Sequence, residues 1–343
     1  MNQNQPLRIV VFGASGRVGE QVLSQLEDTD WPIAEMVGVV SADSTAAEFE
    51  FRDDAVSTVA KWPTFRAGDL VFVCTPGPVA LEIVRSALQA GVACIDCTGV
   101  MAQHAEVPMP VRDQELASDA VASAPLLASP GATTLAWTPL LEALESAVGV
   151  ARVVATVLSS ASARGRPGLI ALSEESIALF NQSEGPAVGP AGQPVAFDVI
   201  PGGIDEARVA VELARVFDSK LRVDLTSVQV PTFVGEGAAL AIELGSPLDE
   251  AAFLKLLGGV RGLTLVDEGV GTRGLAAVDH DAPEPTGPTL RDSASAENIL
   301  VGRIRPDAAL PVGIGWRLWL SYEPLRIVAQ HAVRLASLRR SDT

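Results

Sequence analysis

Arg8-Ile9-Val10-Val11-Phe12-Gly13-Ala14-Ser15-Gly16-Arg17-Val18-Gly19 is the stretch that decides the fold. The unbroken apolar run Ile9–Phe12 reads as a strand buried on both faces, as strands of parallel sheets are. A helix begins at Gly16 and continues to Leu26. The glycine turn between them is where a dinucleotide pyrophosphate rests on a helix N-terminus. Gly13 permits the tight turn, Gly16 lets the phosphates approach, and Gly19 lets the helix pack closely on the strand. A glycine-rich match alone is weak evidence, but the strand–turn–helix context strengthens it. The turn is kept either for a cofactor or for packing alone, and the context favours the cofactor. Gly13, Ala14, Ser15, Gly16, Arg17, Val18 and Gly19 therefore form the expected cofactor loop.

The pattern continues outward from this stretch. Ile33–Val40 and Asp69–Cys74 read as further strands, the latter stopped by Thr75-Pro76-Gly77-Pro78. A helix over Val79–Ala90, a strand over Val92–Asp96 and a last strand over Pro125–Ala128 follow. Strands alternating with helices predict a doubly wound parallel sheet of Rossmann type. A helix from Thr133 to about Ala147 leads into a second domain. There, Arg152–Ser159, Val223–Val234, Ala238–Leu244, Ile299–Arg305 and Ile314–Ser321 read as strands. Asp205–Phe217 and Leu248–Leu257 read as helices, Gly185–Gly192 as a surface loop, and the proline-rich Asp279–Thr289 as an extended loop. The helix Pro324–Leu338 returns to the first domain. The expected fold is thus α/β, with a second α+β domain built on a mixed or antiparallel sheet. The domains are 1–131 plus 324–343, and 132–323, with no internal repeat.

Composition narrows the function classes. A chain of 343 residues suits two domains. With 48% hydrophobic residues and mean hydropathy +0.29, both cores can be built and disorder is disfavoured. No apolar run reaches membrane-spanning length. The polar start Met1–Pro6 lacks the basic region of a signal peptide, so a cytoplasmic location is expected. A net charge of −17 repels phosphate backbones, which excludes nucleic acid as the expected partner. The basic residues from Arg334 to Arg340 read as the solvated face of the last helix. Cys74, Cys94 and Cys97 fit a reducing compartment. Cys94 and Cys97 have the spacing of a redox pair, but their odd offset on a strand points them to opposite faces, as buried thiols. His104, His280 and His331 show no metal-ligand spacing, so no metal is expected.

Beyond the glycine turn, several stretches resemble the aspartate-semialdehyde dehydrogenase family. Ser129-Pro130-Gly131-Ala132-Thr133-Thr134 is similar to its Asn-Pro-Asn-Cys-(Ser/Thr)-Thr signature. Gln229-Val230-Pro231-Thr232-Phe233-Val234-Gly235-Glu236 matches its Arg-Val-Pro-x-x-x-Gly-His. Thr156–Gly168, Val228–Val234, Val301-Gly302-Arg303-Ile304-Arg305 and Leu325-Arg326 extend the likeness through nearly the whole chain. The resemblance implies an NAD(P)-binding domain and a second domain for substrate binding and dimerisation. It is greatest to the family's bacterial paralogues that lack the active-site cysteine.

The family's catalytic set does not carry over. Where the nucleophilic cysteine would stand there is Ala132, and a methyl forms neither thiohemiacetal nor thioester. Gln229 replaces the arginine that clamps the substrate carboxylate and offers no charged fork. Glu236 replaces the general acid/base histidine, setting an anion where an anionic substrate would approach. The phosphate-binding arginine aligns near Ala102, in Asp96-Cys97-Thr98-Gly99-Val100-Met101-Ala102. Its lysine aligns near Arg208, with Glu212 kept, and the substrate-positioning glutamine near Leu158. The family's NADP users carry an arginine in Ala-Ser-x-Arg-Ser after the second strand, where this chain has Val40-Ser41-Ala42-Asp43-Ser44. A carboxylate opposes a 2′-phosphate but accepts from a ribose hydroxyl, so Asp43 favours NAD over NADP unless it is a solvated loop residue. Ser41, Asp43, Thr75 and Pro76 complete the expected cofactor set.

Three readings follow. The preferred one is a family member without semialdehyde dehydrogenase activity that still binds NAD or NADP and forms a homodimer. The second is an NAD(P)-dependent oxidoreductase acting on an aldehyde or oxo group without a cysteine, with Thr133, Thr134 and Glu236 near the old nucleophile. Both threonines read more simply as caps of the helix after Gly131. Arg164-Gly165-Arg166 can hold an anion or stand as a solvated loop, and the loop is preferred. The third reading is a regulatory subunit pairing with an active homologue.

Overall fold

The computed structural model describes residues 6–45, 47–75, 77–183, 185–187, 192–266 and 287–339. The chain divides into two compact units, Met1–Leu135 with Leu325–Thr343, and Ala136–Pro324.

The first unit opens with β1 (Leu7–Phe12), α1 (Arg17–Glu27) and β2 (Ile33–Val39). Burial of Gly19, Val22, Leu23 and Leu26 puts one helical stripe of α1 against the sheet. Next come β3 (Glu48–Phe51), β4 (Asp54–Val59), β5 (Leu70–Val73), α2 (Pro78–Gln89) and β6 (Ala93–Asp96). Two short helices, α3 (Asp113–Leu116) and α4 (Asp119–Ser123), precede β7 (Leu126–Ala128). The sheet order is β3-β4-β2-β1-β5-β6-β7, parallel throughout except for the antiparallel β3–β4 hairpin. The C-terminal helix Pro324–Leu338 adds Ala329, Ala332, Leu335 and Ala336 to the core of this unit.

Sequence reasoning assigned no structure to that hairpin. Its two-residue turn places Arg52 and Asp53 at φ +50° and +67°, conformations usually marked by Asn or Gly. The Arg52 guanidinium compensates by donating to the carbonyls of Trp31 (3.0 Å) and Thr29 (2.5 Å), just past the end of α1.

α5 (Ala132–Val148) begins in the first unit and ends in the second. Then come β8 (Val150–Ser159), α6 (Gly165–Phe180), β9 (Ile200–Pro201), α7 (Glu206–Val216), β10 (Arg222–Gln229) and β11 (Glu236–Leu244). α8 (Glu250–Gly258), β12 (Leu263–Leu265), α9 (Leu290–Ser293), β13 (Ile299–Pro306) and β14 (Gly315–Tyr322) complete the second unit. Its sheet runs β12-β13-β14-β11-β8-β10-β9 and is mixed, with β8–β10 and β12–β13 parallel and the other pairs antiparallel.

Three expectations need correction here. The strand expected to reach Val234 stops at Gln229, because Pro231 has no amide for the ladder, and β11 starts two residues early, at Glu236. Arg164-Gly165-Arg166 is not a loop: Arg164 is the N-cap residue of α6, and Gly165 and Arg166 open its first turn. α6 escaped notice because Ile170, Ile177, Leu179 and Phe180 stay exposed while Ala171, Leu172 and Ala178 are buried, so its apolar residues show no clear stripe. The basic tail is also not uniformly solvated. Arg334 is exposed and pairs with Asp113 at 2.6 Å, whereas Arg339 is half-buried near Cys94. Most of the expected loops Gly185–Gly192 and Asp279–Thr289 lies outside the described residues.

Candidate functional site

The glycine turn is held from both sides. Gly13 leaves β1 at φ +81°, and its amide donates to the Val39 carbonyl at 2.8 Å. A Cβ on Gly13 would lie 2.7 Å from Thr75 Oγ1, and one on Gly19 would lie 2.1 Å from the Gly13 carbonyl oxygen. Gly16 caps α1 and donates to that same oxygen at 2.9 Å. Close packing thus joins residues 13–19 and Thr75 around the N-terminus of α1, where first-turn amides lack helical acceptors and attract anions. Ser44 Oγ lies 3.3 Å from Ser15 Oγ, so the β2 end meets the turn through Ser44. Ser41 and Asp43 stand exposed on the same loop. A neutral serine such as Ser44 carries no sequence signal comparable to the charge of Asp43. Pro76 lies outside the described residues.

At the end of β6, Asp96 is fully buried. Its carboxylate accepts from the Thr98 amide (2.9 Å), the Thr98 hydroxyl (2.6 Å) and the Met101 amide (2.8 Å). These bonds fix a 3-10 turn, Met101–Gln103, that buries Ala102 completely. A buried methyl provides no anion clamp. Asp-x-Thr after a strand is a turn-forming pattern that could have been read from sequence.

Cys74 and Cys97 leave the adjacent parallel strands β5 and β6 and share one core cluster, while Cys94 lies near Arg339. All three thiols are free and buried. Contact with the Cys74 thiol and then burial push Cys97 well up, and burial pushes Cys94 up as well, which suppresses thiolate chemistry. Among the described residues, no three His, Cys, Asp or Glu side chains form a metal cluster.

Ala132 is half-buried at the first position of α5. Thr133 and Thr134 follow inside the helix, both buried, so they are not the caps expected of them. The loop before α5 is pinned from behind. Ser129, fully buried, lies 2.9 Å from His331 Nδ1, and His331 Nε2 lies 3.0 Å from the Pro110 carbonyl oxygen. A carbonyl only accepts, so Nε2 carries the proton and Nδ1 accepts from the Ser129 hydroxyl. Burial pushes the imidazole down to about 4, against the opposing pull of the Pro110 carbonyl.

In the second unit, strand register aligns a polar row across the end of the sheet. Gln229 pairs with Ser159, Ser159 with Glu236, and Glu236 with Tyr322. Cross-strand partners share a face. The next layers on that face are Ser227, Val157, Ala238 and Leu320, then Leu225, Ala155, Leu240 and Leu318. An apolar sheet face therefore ends in a polar edge, and every member of that edge is buried. Tyr322 donates its hydroxyl to Glu236 Oε1. Gln229 Nε2, Gln229 Oε1 and Ser159 Oγ have no hydrogen-bond partner. Leaving one such group unsatisfied costs about 1–3 kcal/mol. Gly203, at φ +146°, covers the row so closely that a Cβ would meet Ser159 Oγ at 2.2 Å.

Leu158, aligned near the family's glutamine, pairs with Val228 on β10. Ser159 joins the row, and Leu158, one residue earlier, points to the opposite face. Arg208 Nε lies 3.5 Å from the fully buried Glu212. Register thus unites Gln229 and Glu236, as the family resemblance implied, and adds Ser159 and Tyr322, whose places depend on long-range pairing.

Comparison with known proteins places this architecture. Residues 8–124 match the model of the semialdehyde dehydrogenase NAD-binding domain, and residues 141–323 match that of its dimerisation domain. The chain belongs to the semialdehyde dehydrogenase family. It is 27% identical to aspartate-semialdehyde dehydrogenase 2 of Vibrio cholerae over 99% of both chains. It is 26% identical to the USG-1 protein homolog of Pseudomonas aeruginosa over 98% of both. The crystal structure of aspartate semialdehyde dehydrogenase II from Vibrio cholerae covers 97% of this chain and 98% of its own, with TM-score 0.85 and 24% identity. The semialdehyde dehydrogenase fold, with its NAD-binding domain and its dimerisation domain, is therefore present along the length of the chain. No helix among the described residues is long and apolar enough to cross a membrane.

Proposed function

We propose that this chain is a semialdehyde dehydrogenase homologue that binds NAD(P) and dimerises but does not oxidise a semialdehyde through a cysteine thioester. Ala132 carries this reading. The first position of a helix is where the dipole would lower a thiol's pKa and ready it for attack, and here it holds a methyl. The other replacements point the same way: Ala102 is buried without charge, Gln229 is neutral, and Glu236 is an acidic side chain hydrogen-bonded to Tyr322. Apolar side chains exposed on α6 (Ile170, Ile177, Leu179 and Phe180) support a second copy of the chain as partner. Purified and sedimenting as a dimer, the protein should give no phosphate-dependent NADP reduction with aspartate semialdehyde. Ala132→Cys should not restore it, since three further positions remain changed. Turnover by either protein, after removal of host enzyme, overturns the reading.

The cofactor would lie at residues 13–19 and Thr75, with its phosphates at the N-terminus of α1. Asp43 and Ser41 stand on the loop after β2, whose Ser44 meets Ser15. A carboxylate there disfavours a 2′-phosphate, so NAD should bind about tenfold more tightly than NADP. Calorimetric titration decides it, and equal or reversed affinities remove the assignment of Asp43.

A further inference from the structure

The carboxyl edge of the first sheet gathers three loops. β1, β2 and β4 run parallel, and register sets Phe12 beside Val39 and Val39 beside Val59 as one row at that edge. The loops are tied together where they leave the strands. Gly13 donates to the Val39 carbonyl at 2.8 Å, and Val40 donates to the Val59 carbonyl at 3.0 Å. The glycine turn, the loop bearing Asp43 and the segment Ala60-Lys61-Trp62 therefore emerge side by side. Open α/β sheets take their ligands just outside this edge. Trp62 is the aromatic residue of the third segment. Its ring meets that of Phe12, the residue before Gly13, edge to face, with centroids 5.4 Å apart and planes at 78°. Phe12 is 1% exposed and gives a fixed support, yet Trp62 itself stays 37% exposed. Val59, at the end of β4, is exposed to the same extent and extends the apolar surface.

We propose that Trp62 is the platform on which the adenine ring of NAD(P) stacks. The three loops stand along the edge in the order β1, β2, β4. Phosphate, ribose and base follow one another in that same order along the nucleotide. The turn at the end of β1 suits the phosphates, and the loop after β2 carries Asp43 for the ribose. The base then falls at the segment after β4. Neither residues 13–19 nor residues 41–45 contain an aromatic ring, so Trp62 supplies the flat apolar surface that those two loops lack. Stacking on an indole needs no enclosed cavity, because one open surface of the ring is enough to cover a base. The packing on Phe12 holds the indole in place beforehand, which lowers the cost of ordering it when the base arrives. This inference rests on the reading that residues 13–19 hold NAD(P).

The test is titration of the full-length protein with ADP-ribose, which carries the base, the ribose and both phosphates without the nicotinamide. Trp62→Leu keeps apolar bulk against Phe12 but has no aromatic face, and it should weaken ADP-ribose about tenfold by calorimetry. Trp62→Phe should restore most of that loss, which a role in packing bulk alone does not explain. ADP-ribose should also quench part of the tryptophan emission of the native protein. That quenching should vanish in Trp62→Phe, although the chain keeps its other tryptophans. Equal ADP-ribose affinity in the native protein and Trp62→Leu overturns the proposal, as does quenching that survives in Trp62→Phe. If Trp62→Leu does not fold, the quenching comparison decides. Absence of ADP-ribose binding to the native protein sinks the cofactor reading and this proposal with it. Binding that is indifferent to Trp62 sinks this proposal alone.

Discussion

Between pH 6.5 and pH 4 the protein should lose on the order of 3 kcal/mol of unfolding free energy through His331 alone. In the unfolded chain this imidazole takes up its proton near its ordinary 6.5, while in the folded protein it resists protonation down to about 4. Within that window the unfolded state binds the extra proton, so stability falls as pH falls. Below about 4 both states are protonated and the dependence on His331 ends; above 6.5 both are neutral. The cause is burial of the ring, assisted by the nearby Arg334 charge and opposed by the Pro110 carbonyl on Nε2. His331→Gln keeps a neutral donor and acceptor in roughly the same places and removes the titration. Denaturant unfolding of both proteins at pH 7, 5.5 and 4 measures the difference, which cancels carboxylates common to the two. A parallel decline in native protein and variant would show that His331 is not held neutral as described.

How much of this was legible in the sequence depended on whether the determining contacts were local. The β1–turn–α1 unit could be read because one short segment contains the strand, the three glycines and the helical stripe Gly19, Val22, Leu23 and Leu26. The β3–β4 hairpin could not, since its turn is stabilised by Arg52 reaching carbonyls more than twenty residues away instead of by a turn-forming residue. α6 hid for a different reason: a helix with apolar residues on both its buried and exposed sides has no stripe to detect. The same division holds at the candidate sites. Gln229 and Glu236 were legible through the resemblance of one segment, Gln229–Glu236, to the family's Arg-Val-Pro-x-x-x-Gly-His. Ser159 and Tyr322 joined them only through β8–β10, β8–β11 and β11–β14 pairing. The partner of His331, Ser129, lies 202 residues away and no pattern announces it.

Gly19→Ala should destabilise the first unit by about 2–4 kcal/mol and abolish the rise in Tm that NAD produces. The added Cβ would fall 2.1 Å from the Gly13 carbonyl oxygen and 2.9 Å from Ala14 Cα. Both are backbone atoms, so no side-chain rotation relieves the overlap, and α1 must lift away from the turn. Alanine's better helix propensity returns only about 1 kcal/mol, which the clash outweighs. Lifting α1 also carries its first-turn amides away from the turn where the pyrophosphate would rest, so stability and cofactor binding should fail together. Gly68→Ala is the control. Gly68 has φ +88° and nothing within 4 Å of the added Cβ, so only left-handed backbone strain of about 1–2 kcal/mol is expected there. NAD should still raise the Tm of that variant as it does for the native protein. A Gly19→Ala protein as stable as Gly68→Ala would mean that α1 does not rest on the turn. One that is destabilised yet still responds to NAD would separate the packing role of Gly19 from the cofactor and move the binding site elsewhere.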